Sequence, residues 1–81
     1  MSYRLVMRLA AVEGALQRVI GTVEHRGFRV LACRVHEDAA DAVYRIDMEV
    51  EGTRDVALLC RQLARLYDVH EITGKAIAAA A

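Results

Sequence analysis

The side chains that could do chemistry are few, and their spacing does not assemble a reactive site. His25, His36 and His70 lie far apart, and no two of them have the spacing that puts ligands together on one helix face. A zinc site needs three or four converging ligands, so these histidines do not predict one. The acidic segment at residues 37–42 lacks the glycine and ligand spacing of a calcium loop and is expected to be a solvated turn. We therefore predict no metal site and no catalytic residue.

The two cysteines, Cys33 and Cys60, lie far apart and each stands within an apolar run. Such cysteines are typical of buried free thiols in a reducing cytoplasm, not of a disulfide or a metal pair. The chain also has no apolar run of about eighteen residues and no signal-peptide core. We expect a cytoplasmic protein without membrane contact.

The composition points to a partner rather than to nucleic acid. Eleven basic and eleven acidic residues cancel, which argues against a general nucleic-acid or membrane-surface binder. Hydrophobic residues make up 56% of an 81-residue chain, so part of the apolar surface is expected to meet a partner or a second copy. Ten of the eleven basic residues are arginine, which fits either a GC-rich coding sequence or bidentate pairing at an interface.

The segment from Gly14 to Phe28 is the one candidate for a binding site. Its apolar residues recur at helical spacing and predict an amphipathic helix over residues 14–26, with Gly27 at the C-terminal cap. These apolar residues are Leu16, Val19, Ile20 and Val23. Gly14 would expose backbone amides at the positive helix end, where a carboxylate can bind, and Glu13 would complement the helix dipole. The alternative is that Gly14 only makes a tight turn.

The other elements follow from the period of the apolar residues. Alternation predicts strands over residues 3–10, 28–36, 43–51 and 67–73, and a second helix over residues 54–66. The core-facing residues of the first and third strands are Tyr3, Leu5, Met7, Leu9, Tyr44, Ile46, Met48 and Val50. The second strand breaks the alternation, so it either contains a bulge or is covered on both faces. Thr53 is the predicted N-cap of the second helix, and Gly74 is predicted to end the last strand.

The predicted order βαββαβ closes most simply as a ferredoxin-like α+β sandwich. In this fold, two helices cover one face of a four-stranded antiparallel sheet, and both crossovers are right-handed. We place the domain at residues 1–74 and a short Ala-rich tail at residues 75–81. Common functions of the fold are not supported, because the chain lacks the CxxC of copper chaperones, the stacking aromatics of RNA-recognition domains and the Arg-bearing loop of acylphosphatases.

Two motifs carry a resemblance to a known family. Gly14-Ala-Leu-x-Arg-Val-Ile-Gly21, followed by Arg26-Gly-Phe28, resembles the opening of the ACT domain in the small subunit of acetolactate synthase (acetohydroxyacid synthase). Gln62-Leu-x-Arg-Leu-x-Asp-Val69 is similar to that family's second helix and last strand. The resemblance covers about residues 3–73, and because the chain ends soon afterwards it looks like the short, single-domain type of isozyme II.

The resemblance implies a regulatory subunit. Such a subunit binds and activates a large catalytic subunit, which carries thiamine diphosphate, Mg²⁺ and FAD and condenses 2-oxo acids in branched-chain amino-acid synthesis. No cofactor is expected on the small subunit itself. ACT domains commonly pair edge strand to edge strand, which implies a homodimer. The outer face of the third strand and the Arg-lined side of the second helix are both candidates for contacting the large subunit.

The resemblance also implies where an effector would bind. The family's valine site joins the loop before the first helix to the start of the second strand of the other copy. The matching residues here are Ala11, Glu13, Gly14, Ala15, Leu16, Arg29 and Val30. Valine-sensitive members carry Asn where this chain has Ala11 and Arg29, so the amide side chains that would hold the ligand are missing. We expect a vestigial site that does not bind valine tightly.

Two other functions remain open at this stage. The chain could be a stand-alone ACT-domain amino-acid sensor that regulates another enzyme. It could also be a small enzyme on the same fold, although no group of residues supports an activity.

Overall fold

A computed structural model describes residues 1–77 and gives the element order that the sequence predicts. The strands are β1 (Ser2–Ala10), β2 (Arg29–Asp38), β3 (Val43–Glu51) and β4 (Val69–Ala76), and the helices are α1 (Ala15–His25) and α2 (Val56–Ala64). The strands form one antiparallel sheet in the order β2-β3-β1-β4. The predicted ferredoxin-like βαββαβ fold is therefore confirmed. The last four residues of the predicted tail lie outside the described residues.

The core lies between the helices and one face of the sheet. Its residues on the central strands alternate as predicted, because side chains on a strand point to opposite faces in turn. From the helices, Val19 and Val23 of α1 and Leu59 and Leu63 of α2 are almost fully buried. Leu16 and Ile20 of the predicted α1 stripe are only partly buried, and Ala15 is buried beside them.

The phase break in β2 is a bulge. The register between β2 and β3 shifts between Val30 and Ala32, which leaves Leu31 as the extra residue. Beyond the bulge, Cys33 pairs with Met48 and therefore lies on the helix-facing side of the sheet. Cys33 is nevertheless exposed, because β2 is an edge strand and the helices do not cover it. The prediction of two buried thiols is thus wrong for Cys33, whereas Cys60 is half-buried; both are free.

The bounds of β4 differ from the prediction at Gly74. Gly74 pairs with Leu5 inside the strand, and β4 continues to Ala76. A Cβ atom at Gly74 would lie only 2.7 Å from the Cys60 sulfur and 3.0 Å from Leu5. Gly74 is therefore a point of close approach between β4 and α2, not the end of the strand.

The N-cap of α2 is Asp55 and not Thr53. The Asp55 carboxylate accepts hydrogen bonds from the backbone amides of Ala57, at 2.9 Å, and Leu58, at 3.4 Å. These are amides of the first turn that have no partner within the helix. The helix therefore begins two residues later than predicted. Both residue types are good caps, and the sequence alone did not discriminate between them.

Candidate functional site

The loop between β1 and α1 is a tight turn built on Gly14. The Ala11 amide donates to the Ala42 carbonyl at 2.8 Å, which holds the loop against the start of β3. Gly14 is the N-cap of α1 and adopts φ 80° and ψ −8°, a left-handed conformation that glycine reaches without strain. Glycine at this position is thus explained by the turn alone.

One of the amides predicted for a ligand is already used within the loop. The Ala15 amide donates to the Val12 carbonyl at 3.2 Å, and the Gly14 carbonyl accepts the first helical hydrogen bond from Arg18. A carboxylate at this helix end would therefore meet fewer free donors than the sequence predicts. This weakens the interpretation of the turn as a strong anion site.

An ion pair that the sequence did not predict connects this turn to the far end of the chain. The Arg18 guanidinium lies over the turn, within 2.8 Å of where a Gly14 Cβ atom would be. It donates to the Asp68 carboxylate at 2.5 Å, and the Asp68 side chain is 14% exposed. Because Asp68 precedes β4, the pair fixes the start of α1 against the connection from α2 to β4. No sequence signal joins two residues that are 50 positions apart.

The structure does not bring all the predicted site residues together in one copy. Ala11, Glu13, Gly14, Ala15 and Leu16 cluster at the start of α1. Arg29 and Val30 follow the other end of that helix, and its 11 residues span about 16 Å. A site made of both groups therefore needs a second copy of the chain.

Arg29 already has a partner within its own copy. It is exposed, it lies opposite Glu51 in the β2–β3 register, and its guanidinium is 3.0 Å from that carboxylate. Val30 is half-buried and pairs with Val50. Glu51 offsets part of the positive charge that Arg29 would bring to a ligand.

The outer face of the sheet carries surface ion pairs rather than a reactive cluster. Arg4 on β1 donates two hydrogen bonds to Asp47 on β3, at 2.9 and 2.5 Å. These bonds, with the charge of Arg4, hold the pKa of the Asp47 carboxyl below its usual value. A lowered folded-state pKa stabilises the fold above the unfolded pKa, and this contribution is lost as the pH falls through the folded value.

The described residues offer little chemistry beyond these contacts. Within residues 1–77, no three His, Cys, Asp or Glu side chains are grouped closely enough to hold a metal ion. Partial desolvation of the sulfur raises the pKa of the Cys33 and Cys60 thiols, which disfavours the reactive thiolate. No helix in this part of the chain has the length and apolar character needed to span a membrane.

Comparison with known proteins identifies the domain type. The family model of the ACT domain matches residues 11–72, which include both motifs and the turn at Gly14. A search of the curated proteins found no match.

Three solved structures share the fold. Formyltetrahydrofolate deformylase from Burkholderia mallei is similar with a TM-score of 0.69 and 17% identity over 93% of this chain, which spans 27% of that protein. An uncharacterized protein from Thermotoga maritima gives a TM-score of 0.70 and 14% identity, covering 91% of this chain and 92% of its own. The C-terminal domain of the MgtC protein from Mycobacterium tuberculosis gives 0.68 and 9% identity, covering 91% and 84%. At these identities the likeness shows the fold alone.

The two glycines of the first motif provide a test of the turn. Gly14→Ala places a side chain in the left-handed region and is expected to destabilise the protein by about 1–2 kcal/mol. Gly21→Ala is the matched control, because Gly21 is exposed inside α1 with nothing within 4 Å of an added Cβ atom. It is expected to stabilise the protein by about 0.5–1 kcal/mol. Urea unfolding of both variants measures the difference, and equal effects would contradict the role given to Gly14.

Proposed function

The chain belongs to the ACT domain family, a family of ligand-binding regulatory domains, and on that premise we propose that it is the non-catalytic regulatory subunit of an acetolactate synthase. In this role it binds and activates the large catalytic subunit in the cytoplasm. The proposal rests on the two motifs at residues 14–28 and 62–69. Arg18 of the first motif and Asp68 of the second form the ion pair described above. This contact is a physical reason for the two motifs to occur in the same chain.

The exposed edge of β2 supports a homodimer. An edge strand presents unpaired backbone groups and is usually covered or paired. On β2 the exposed apolar side chains are Leu31, 40% exposed, and Val35, 42% exposed, next to free Cys33. The other edge, β4, carries the more polar Glu71, Thr73 and Lys75 after Val69. Pairing through β2 would remove more apolar surface from water than pairing through β4.

Antiparallel pairing of two β2 strands would also complete the predicted effector site. The end of β2 and the loop lie at the same end of the sheet, since Asp38 and Ala10 both pair with Val43 of the intervening β3. In an antiparallel pair the start of one β2 meets the end of the other. Arg29 of a second copy would then lie at the end of the sheet that carries Ala11 and Gly14.

We expect the dimer to depend on Leu31. Leu31→Asp places a charge on the edge strand and should shift the protein to monomers, raising the dimer dissociation constant at least tenfold. Leu58→Asp is the matched control, because Leu58 is similarly exposed but lies on α2. Sedimentation velocity measures both, and a dimer that tolerates Leu31→Asp would exclude this edge as the interface.

Activation of the catalytic subunit is the direct test of the proposed function. We expect the chain to co-elute with the acetolactate synthase large subunit of the same organism and to raise its rate of acetolactate formation. The rate of the large subunit alone is compared with the rate of its mixture with this chain, at the same large-subunit concentration. An unchanged rate without co-elution would reject the proposal. The alternative function is a stand-alone amino-acid sensor. It is favoured if an amino acid other than valine raises the midpoint of thermal unfolding of this chain.

Valine binding should be weak. The Ala11 side chain has no hydrogen-bonding group, the Ala15 amide is already engaged, and Arg29 would repel the ligand's ammonium group. Two missing hydrogen bonds, worth about 1–3 kcal/mol each, reduce the affinity by orders of magnitude. Calorimetry on the dimer is expected to show no micromolar binding. The variant Ala11→Asn restores one donor group and should bind more tightly than the natural chain, and micromolar affinity of the natural chain would contradict the prediction.

A further inference from the structure

The side of α2 that faces away from the sheet is basic and apolar. Its exposed residues are Ala57, Leu58, Arg61, Ala64 and the C-cap Arg65, and with Arg54, which precedes the N-cap Asp55, we call them the α2 surface. Spacings of three, four and seven residues place Ala57 to Arg65 along one stripe of the helix. Arg54 lines the groove beside Leu58. The nearby Asp55 carboxylate is occupied, since it caps the helix through two backbone amides.

Leu58 stands between two depressions on this surface. A groove of about 450 Å³ lies between the end of α1 and α2, and its polar lining residues are His25, Arg26, Arg54, Asp55 and Gln62. A second depression of about 400 Å³ is lined by Leu58, Arg61, Gln62, Ala64 and Arg65. The Leu58 side chain, 45% exposed, forms a wall of both. An apolar side chain of a partner can therefore enter beside Leu58 with arginines on either side.

The arginines of the α2 surface form no ion pair with another side chain of residues 1–77. In residues 1–77 the ion pairs use Arg4, Arg18, Arg29 and Arg45, and none of them lies on α2. The whole chain has zero net charge, so the α2 surface is a local excess. Arginine holds carboxylates through two parallel hydrogen bonds and is enriched at protein interfaces. The partner that complements this surface is acidic.

We propose that the α2 surface docks an acidic segment of a second protein. An apolar side chain of that segment packs beside Leu58, and its carboxylates bind Arg54, Arg61 and Arg65. Where the second protein is identified with the catalytic subunit, the inference rests on the proposed function. In that case the α2 side of the domain, and not the outer face of the sheet, contacts the catalytic subunit.

Two other occupants fit the surface less well. A second copy of this chain could offer its acidic turn with Glu37 and Asp41, but Asp38 of that turn already pairs with Arg45. A contact between two different surfaces of identical copies also builds an open filament unless the copies close into a ring. Nucleic acid would leave Leu58 and the two alanines facing charged phosphates.

The first test uses a probe of defined chemistry on the whole protein. A short synthetic peptide with Glu and Leu at helical spacing is titrated into labelled protein and followed by amide chemical shifts. We expect shifts concentrated on α2 that weaken as salt is added, and none from the same peptide with Gln in place of Glu. Shifts confined to the sheet, or shifts from a single-stranded oligonucleotide but not from the acidic peptide, would overturn the inference.

The second test separates this inference from the proposed function. The triple variant R54Q/R61Q/R65Q is compared with Arg8→Gln, which removes an exposed arginine from the outer face of β1. We expect the triple variant to bind the large subunit at least tenfold more weakly, with unchanged dimerisation, while Arg8→Gln binds normally. If the natural chain binds the large subunit and the triple variant binds equally, the inference fails. If the natural chain does not bind it, the proposed function fails, and the peptide titration decides the docking surface.

Discussion

The sheet can bury only one of its faces, because both helices pack on the same side of it. The central strands β1 and β3 supply that face with alternating apolar residues, and Val19, Val23, Leu59 and Leu63 complete the core from the helices. Every other feature follows from this arrangement. The outer face of the sheet stays charged, the edge strand β2 is incompletely covered, and each helix keeps one side free. Within residues 1–77 no metal-ligating cluster is present, whereas the outer sheet face, the β2 edge and the free sides of the helices are surfaces to which a partner can bind.

The turn at Gly14 connects these surfaces to the core. Its left-handed backbone sets the direction in which α1 leaves β1. Arg18, one turn into the helix, then contacts Asp68, the residue that precedes β4. The same turn therefore positions the candidate effector loop and clamps it to the segment that follows α2. A substitution at Gly14 that distorts the turn therefore lowers the stability of the fold, and it changes ligand binding only through that distortion.

The sequence predicts the fold well where one face of an element is buried. The predicted bounds of β3 are the observed ones, and those of β1 differ by one residue, because the alternation in both strands is regular. β2 was harder, since an edge strand with a bulge has no fixed buried face, and the exposed Cys33 follows from that. Glycine often ends a strand, which is the reason for the prediction at Gly74, whereas the approach of Cys60 requires a glycine inside β4. Such errors arise from contacts between distant parts of the chain, which local patterns do not encode.

The candidate site is also hard to predict, because it depends on contacts between distant residues and between two copies of the chain. Residues 11–16 and residues 29–30 lie at opposite ends of α1, so only a family resemblance joins them into one site. The pair of Arg18 and Asp68 shows a second connection that spacing could not reveal. From Asp68 the chain runs back through Leu66, whose amide donates to the Leu63 carbonyl at the end of α2. The Asp68 carbonyl also accepts a hydrogen bond from the Ala10 amide at 2.8 Å. Asp68 therefore provides polar contacts between the end of β1, the start of α1 and the segment that follows α2.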